Sequence, residues 1–462
     1  MTEQGVRWTA DQVLALAPDA ASRKAGSKLG AAGPWSGTGA DGGAVWGLCK
    51  GSGRKPYQTV VDLAGAGGPA YRCSCPSRKF PCKHALGLLL LRSVEGEVPD
   101  GAAVPEWAAD WLAGRRERAE ESGTAGAGKA AGAVADPEAA RRRAEQRAAR
   151  ITAGAEELRQ RLGDLLRGGL ADAGSAGYAP WEETAARMVD AQAPGLASRI
   201  RELGGVAASG PGWPGRLLEE AALVHLLARG WLRREALPPE LADTVRGHVG
   251  LPVPADGPPV RDRWLVLAQY ETDDGRLTTR RIWLHGIASG RSALLLSFGA
   301  AGRAPELSLP VGLALDAELR PRPGPAMLRA DLGEQFAVPA PIPDRPAGTG
   351  TEEAAARYGT ALTADPWLTS WPVTLREVVP VPEPDGGGWQ LADADGGSAL
   401  PVHPAALGTP GLWRLVALSG GAPLTVFGEC GHRGFTPLAA WYPPSPSGTP
   451  AAGASEEVFS LC

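Results

Sequence analysis

The strongest constraint on how this chain can fold lies in "YRCSCPSRKFPCKHALGLLLL", residues 71–91, where Cys73, Cys75, Cys82 and His84 fall together directly before a run of leucines. Residues two apart in an extended chain point the same way, so Cys73 and Cys75 at a strand end can face one ion. Cys82 and His84 repeat that spacing where the pattern turns helical. Three thiolates and an imidazole in this order suit tetrahedral Zn²⁺, and the gap "PSRKFP" lets the chain double back around the metal. Arg72, Arg78, Lys79 and Lys83 place positive charge beside the sulfurs and favour their deprotonated form. Four protein ligands close the coordination shell, so one structural Zn²⁺ is expected, coupled to the folding of a region with a thin core of its own.

The other cysteines, Cys49, Cys430 and Cys462, are scattered, which is not the framework of a disulfide-stapled secreted protein. Reduced thiols and a cytoplasmic location are expected. The N-terminus has no basic start followed by an apolar stretch, and the longest apolar runs fall short of a membrane span, so no membrane partner is expected.

Pattern and composition divide the chain into five parts. Residues 1–112 open helically near Ala10–Leu16, alternate apolar and polar residues in "AVWGLCKGS" and "YQTVVDLAG", and turn helical from about Lys83. Residues 113–135 are small, polar and aperiodic, as in a flexible linker. Residues 136–250 read as helices. Asp136 suits an N-cap and Pro137 the first helical position, after which Ile151, Leu158, Leu162 and Leu165 share one face. Over residues 256–445 the period changes to that of strands, with a hairpin signal at Asp274-Gly275, and residues 446–462 read as a disordered tail rich in Pro, Ser and Gly.

The pattern Cys-x-Cys, six residues, Cys-x-His resembles the SWIM-type zinc finger, and "VWGLCKGSGRKPYQTVVDL" with the cysteine segment resembles the bacterial proteins that carry it near their N-terminus. The resemblance implies a small ββα unit with structural zinc on Cys73, Cys75, Cys82 and His84. It implies DNA binding or protein interaction rather than one reaction, and an assembly with AAA+ ATPases of the MoxR type and von Willebrand factor A-domain proteins. The expected fold class is α+β multidomain: an N-terminal ββα zinc-finger unit, a central helical region and a C-terminal β-rich region.

Charge is split along the chain. Residues 1–92 hold twelve Lys/Arg against five Asp/Glu, whereas the whole chain carries a net −4. A basic end on an acidic protein suggests an anionic partner, DNA or RNA, with Lys55, Arg72, Arg78 and Lys79 contacting phosphates and Tyr57, Tyr71 or Phe80 available for stacking. A protein-interaction adaptor is the competing reading.

No enzyme is expected. "GTAGAGKA" matches a phosphate-binding loop only as far as Lys129, because Ala130 stands where a hydroxyl would hold Mg²⁺. "GTGADG", Gly37 to Gly42, reads as a turn, and "ECGHRGF" as a turn between strands that leaves Cys430 and His432 without a second ligand pair. His225 falls in a leucine-rich helix and His285 in a strand, where a core or boundary role is expected, and His248 and His403 have no nucleophile beside them in sequence. Asp273, Asp274, Asp393 and Asp395 fall in glycine-rich turns, where solvated acids are usual.

Overall fold

The computed structural model describes residues 7–18, 20–51, 55–63, 69–77, 79, 81–115, 117, 137–174, 177–251, 257–273, 277–300, 305, 307–322, 328–342, 344–384, 386–441 and 458–462. The chain is α+β and multidomain, with strands and a helix first, helices in the middle and sheets after them. The Asp274-Gly275 turn, the "GTAGAGKA" segment, Asp136 and Phe80 lie outside the described residues. So does the linker reading, apart from residues 113–115 and 117, which are helical instead. Trp107, Trp111 and Leu112 supply that stretch with an apolar face, which extends the ordered unit past residue 112.

The N-terminal unit is built on an antiparallel sheet in the order β1 (Trp35–Asp41), β2 (Ala44–Cys49), β3 (Tyr57–Asp62) and β4 (Ala70–Cys73). Its central strands are apolar on both faces. Val45 and Val61 face α3 (Lys83–Ser93), while Ala44, Trp46 and Val60 face α4 (residues 106–115), so helices cover the sheet on both sides. The ββα element expected at the finger is β3, β4 and α3, with β1 and β2 extending its sheet. Two short helices, α1 (Ala10–Leu14) and α2 (Ala20–Ser27), close over α3.

α3 is buried from His84 through Arg92, so its leucines serve two surfaces at once. Contact with α2 depends on glycines. A Cβ on Gly87 would stand 2.5 Å from Leu29 Cβ, and one on Gly26 would stand 2.8 Å from Leu86 Cβ. Gly87→Ala is therefore expected to lower stability by about 1–3 kcal/mol, the usual cost of overpacking a filled core. Chemical denaturation checks this, and an unchanged midpoint would show that Leu29 yields without cost.

The middle of the chain is a bundle of α5 (Pro137–Gly168), α6 (Ala179–Asp190), α7 (Pro194–Ala207), α8 (Trp213–Leu232) and α9 (Pro239–Val249). Ile151, Leu158 and Leu162 of α5 do enter one core, joined by Trp181, Met188, Ile200, Leu227 and Trp231, while Leu165 packs at its edge.

Two six-stranded antiparallel sheets follow. In the first, β10 (Ala340–Pro341), β8 (Leu313–Pro321), β5 (Val260–Asp273), β6 (Leu277–Gly286) and β7 (Ser292–Ala300) lie in that order, with β9 (Ala330–Gln335) also on β8. In the second the order is β13 (Ala399–Pro401), β12 (Trp389–Asp393), β11 (Ser370–Pro382), β14 (Leu424–Gly431), β15 (Gly434–Trp441) and β16 (Val458–Ser460). This β-rich region also holds helices α10 (Thr351–Ala364), α11 (Pro404–Leu407) and α12 (Pro410–Ser419).

The alternation along β5 explains how the sheets stack. Trp264 and Val266 enter a core on one face; Leu265 and Leu267 point to the other, against Phe427 and Trp441 of the second sheet. A bulge between Val266 and Ala268 lets Ala268 join Leu267 on that same face.

The tail reading fails at its end. Val458–Ser460 pairs with β15 and Leu461 is buried, because Val458, Phe459 and Leu461 give this short segment enough apolar surface to complete the sheet edge. Asp393 is also no solvated turn residue. Its carboxylate accepts from the Thr351 backbone N–H at 3.1 Å and the Thr351 hydroxyl at 2.9 Å, which fixes the N-terminus of α10. Asp395 does remain in its turn, accepting from the Gly397 N–H at 2.9 Å.

The units are joined by specific contacts. Trp8 donates from its indole to the Pro339 carbonyl at 3.2 Å, and Leu313 of β8 enters the core around α3. The bundle meets the second sheet through Trp367, whose indole donates to the Leu223 carbonyl at 2.9 Å, and through Glu219 and Glu220 paired with His432 and Arg433 of the β14–β15 turn.

Candidate metal centre

Cys73 ends β4, in register with Thr59 of β3, and the Thr59 hydroxyl lies 3.2 Å from its sulfur. Beyond it, Ser74 is held to β3 by two hydrogen bonds, its N–H donating to the Gln58 carbonyl and its hydroxyl accepting from the Gln58 N–H. That grip carries the extended backbone to Cys75. The chain returns at Cys82, which is extended (φ −74°, ψ 166°) and occupies the N-cap of α3. His84 follows in the first turn, only 4% exposed, with Nδ1 3.6 Å from the Cys73 sulfur. The Tyr57 ring covers the imidazole at a centroid distance of 4.8 Å.

The strand end and the helix start thus bring Sγ of three cysteines and one imidazole nitrogen within 4.8 Å of one another. Zinc–sulfur bonds of about 2.3 Å in a tetrahedron require sulfurs about 3.8 Å apart, so a small contraction closes this cluster on the ion.

Electrostatics point the same way. Hydrogen bonding from Cys82, with His84 and Thr59 adding to it, pulls the Cys73 thiol down to about 4. Cys82 is pushed up by that same contact and by burial, and Cys75 is raised by burial. Burial and mutual repulsion disfavour three thiolates side by side, and a divalent cation at their centre offsets that cost. The positive end of α3 and the exposed Lys83 favour the same charge state. The residues fit one structural zinc ion with no position left for water or substrate. Cys49 is buried beside the site, its thiol raised by burial and by the charge at Cys73, and it stands outside the ligand set.

Residues 57–93 match the SWIM zinc finger family, from the first residue of β3 to the last of α3. The chain carries a SWIM zinc finger. Residues 146–249 match the SWIM-associated four-helix bundle domain, which begins inside α5 and ends with α9. No curated protein and no solved structure matches.

Around the SWIM finger, Lys55, Arg72 and Lys79 are exposed, and Arg78 lies outside the described residues. The stacking candidates fare differently. Tyr57 packs on His84, and the Tyr71 hydroxyl is buried without a hydrogen-bond partner. Two supporting features were not legible in the sequence. The Thr59 contact depends on the β3–β4 register, and the Tyr57 cover depends on where α3 starts; "YQTVV" carries a strand signal but no hint of either partner.

The remaining histidines have separate local roles. His248 Nε2 lies 2.9 Å from Asp365 and Nδ1 3.1 Å from an Arg199 donor, which ties the bundle to the C-terminal end of α10. His403 Nδ1 accepts from the Ala405 N–H at 3.1 Å and caps α11, and burial lowers the pKa of His225, His285 and His403. No helix among the described residues is long and apolar enough to cross a membrane.

Proposed function

We propose that this chain is a non-enzymatic, cytoplasmic binding protein whose SWIM finger engages nucleic acid, DNA in the first instance, through phosphate contacts. The observation that carries the reading is a set of exposed cations on the strands and helix start that hold the zinc ligands, with Arg72, the register partner of Val60, on the sheet face opposite Cys73. Lys50, Lys55, Arg72 and Lys83 are exposed and have no carboxylate partner among the described residues, and Lys79 is exposed beside them. Elsewhere arginines are commonly ion-paired, as Arg92 is with Asp100 and Arg261 with Asp316. Zinc and three thiolates contribute only one negative charge, so the finger stays basic. The burial of α3 supports one mode of contact over another. A helix covered on all sides does not enter a groove, so binding runs through β4 and the ligand-gap loop, where phosphate contact without strong sequence preference is expected.

Titration of the full chain with a DNA oligonucleotide tests this. Four phosphate contacts imply a loss of roughly 50- to 150-fold in affinity between about 50 and 200 mM salt, with RNA following the same trend. The double variant Lys55→Glu/Arg72→Glu should flatten that slope while zinc content stays at one equivalent. Absence of binding at low salt would end the nucleic-acid reading. It would leave the finger as a docking surface in an assembly with AAA+ ATPase and von Willebrand-type proteins.

A further inference from the structure

We propose that the outer groove between α5 and α8 docks an amphipathic helix of a partner protein, one with leucine-sized side chains along a face and carboxylates beside them. The groove starts from an oddity of α8. Its inner residues, among them Leu217, Val224 and Leu227, are buried in the bundle core, yet Leu218, Ala222 and Leu226 recur at four-residue steps on the outside. Leu218 is 47% and Leu226 44% exposed. A surface helix normally keeps its apolar residues on one stripe, and a second stripe calls for a second partner.

The adjacent length of α5 continues the surface. The Trp231 indole donates to the Thr152 hydroxyl at 3.1 Å, and Arg159 acts electrostatically on His225, so the two helices run antiparallel and Leu166, 43% exposed, falls level with Leu218. Gly163, one turn before Leu166, has no side chain of its own, and the guanidinium of Arg167, paired with Asp164, borders that position, 3.4 Å from where a Cβ would stand. The apolar line from Leu218 to Leu226 is about 12 Å long, enough for two turns of an opposing helix.

Charge selects the occupant. Arg159 and Arg229 are exposed, and neither has a carboxylate partner among the described residues. On the other side of α5, by contrast, Arg161 and Arg187 are both tied to Glu157. His225, between the two free guanidinium groups, has its pKa lowered by burial and by those neighbours, and adds no charge at neutral pH. An incoming helix with glutamates flanking its leucines completes both pairs; one with lysines is repelled. The inference stands apart from the finger's phosphate contacts, since it rests on the bundle alone.

The probes are two synthetic helical peptides of about 18 residues with the same leucine stripe, flanked by glutamate in one and lysine in the other. Titrated against the full chain by fluorescence anisotropy, the glutamate peptide should bind at least about tenfold more tightly. Leu218→Ala/Leu226→Ala, at exposed positions the fold does not need, should cost a similar factor, with unchanged thermal unfolding as the check. Arg159→Glu/Arg229→Glu should reverse the preference between peptides. Equal affinities, or binding indifferent to both double variants, would overturn the proposal. Self-association of the chain that Leu218→Ala/Leu226→Ala abolishes would overturn it too, assigning the groove to a second copy.

Discussion

Replacing Cys82 with serine is expected to remove zinc from the protein and to unfold the N-terminal unit, the largest single effect any side chain here should have. Cys82 is both a ligand and the N-cap of α3, and α3 is the element around which the unit packs. Structural zinc contributes on the order of 10 kcal/mol to small metal-organised folds, more than the net stability of an ordinary domain. The damage should not stop at the finger. Leu313 of β8 shares its core, and Trp8 and Gln12 are bonded to the carbonyls of Pro339 and Val311. Amide exchange should therefore show protection lost over residues 57–93 and reduced near residues 311–313, with the bundle core over 146–249 retained. Cys49→Ser, altering a buried thiol outside the ligand set, should keep one equivalent of zinc by elemental analysis. A Cys82→Ser protein that still holds stoichiometric zinc and native protection would refute the assignment.

What the sequence made legible follows the range over which each signal acts. The four ligands lie within one strand end and one helix start, so spacing alone identified them, and the periodic leucines of α5 predicted both helix and core face. Asp393 shows the opposite case. Its turn is local, but its partner Thr351 lies 42 residues earlier on another element, and no pattern in "LADADGG" announces a helix waiting to be capped. The segment Val458–Ser460 was misread for a related reason. Composition around it resembles a tail, while its pairing is decided by an open edge on β15 that only the assembled sheet provides. The finger's cations lie between these cases: charge excess was countable, yet exposure of Lys55 and Arg72 and burial of the Tyr71 hydroxyl required the fold.

Glu429→Ala should be the most damaging substitution outside the metal centre, costing about 3–5 kcal/mol, because it removes the acceptor of a buried polar cluster and leaves its donors unpaired. β14 alternates, so Phe427 and Glu429 share the face that meets the first sheet, and the carboxylate arrives in an otherwise apolar interface. Three donors converge on it. The Tyr270 hydroxyl and the Trp283 indole each donate to one oxygen at 2.7 Å, and the Ser370 hydroxyl donates to the other at 2.9 Å. Arg281 supplies the balancing charge, 3.8 Å from the carboxylate and donating to the Tyr270 oxygen at 2.9 Å. These partners come from β5, β6 and β11, so one side chain ties both sheets together, and burial beside that charge raises the Tyr270 pKa, keeping its hydroxyl a donor. Glu429→Gln keeps a carbonyl oxygen for Tyr270 and Trp283 and turns its amide toward Ser370, whose hydroxyl can rotate to accept, so it should cost less than Glu429→Ala while losing the ionic contact to Arg281 and the bond donated by Ser370. Equilibrium unfolding in urea, followed by far-UV circular dichroism and by the summed fluorescence of the fifteen tryptophans, Trp283 among them, separates the two variants. Glu429→Ala should split a shared transition by loosening the sheet interface first. Equal and small shifts for both variants would show that the stacked leucines, Phe427 and Trp441 hold the sheets without the carboxylate.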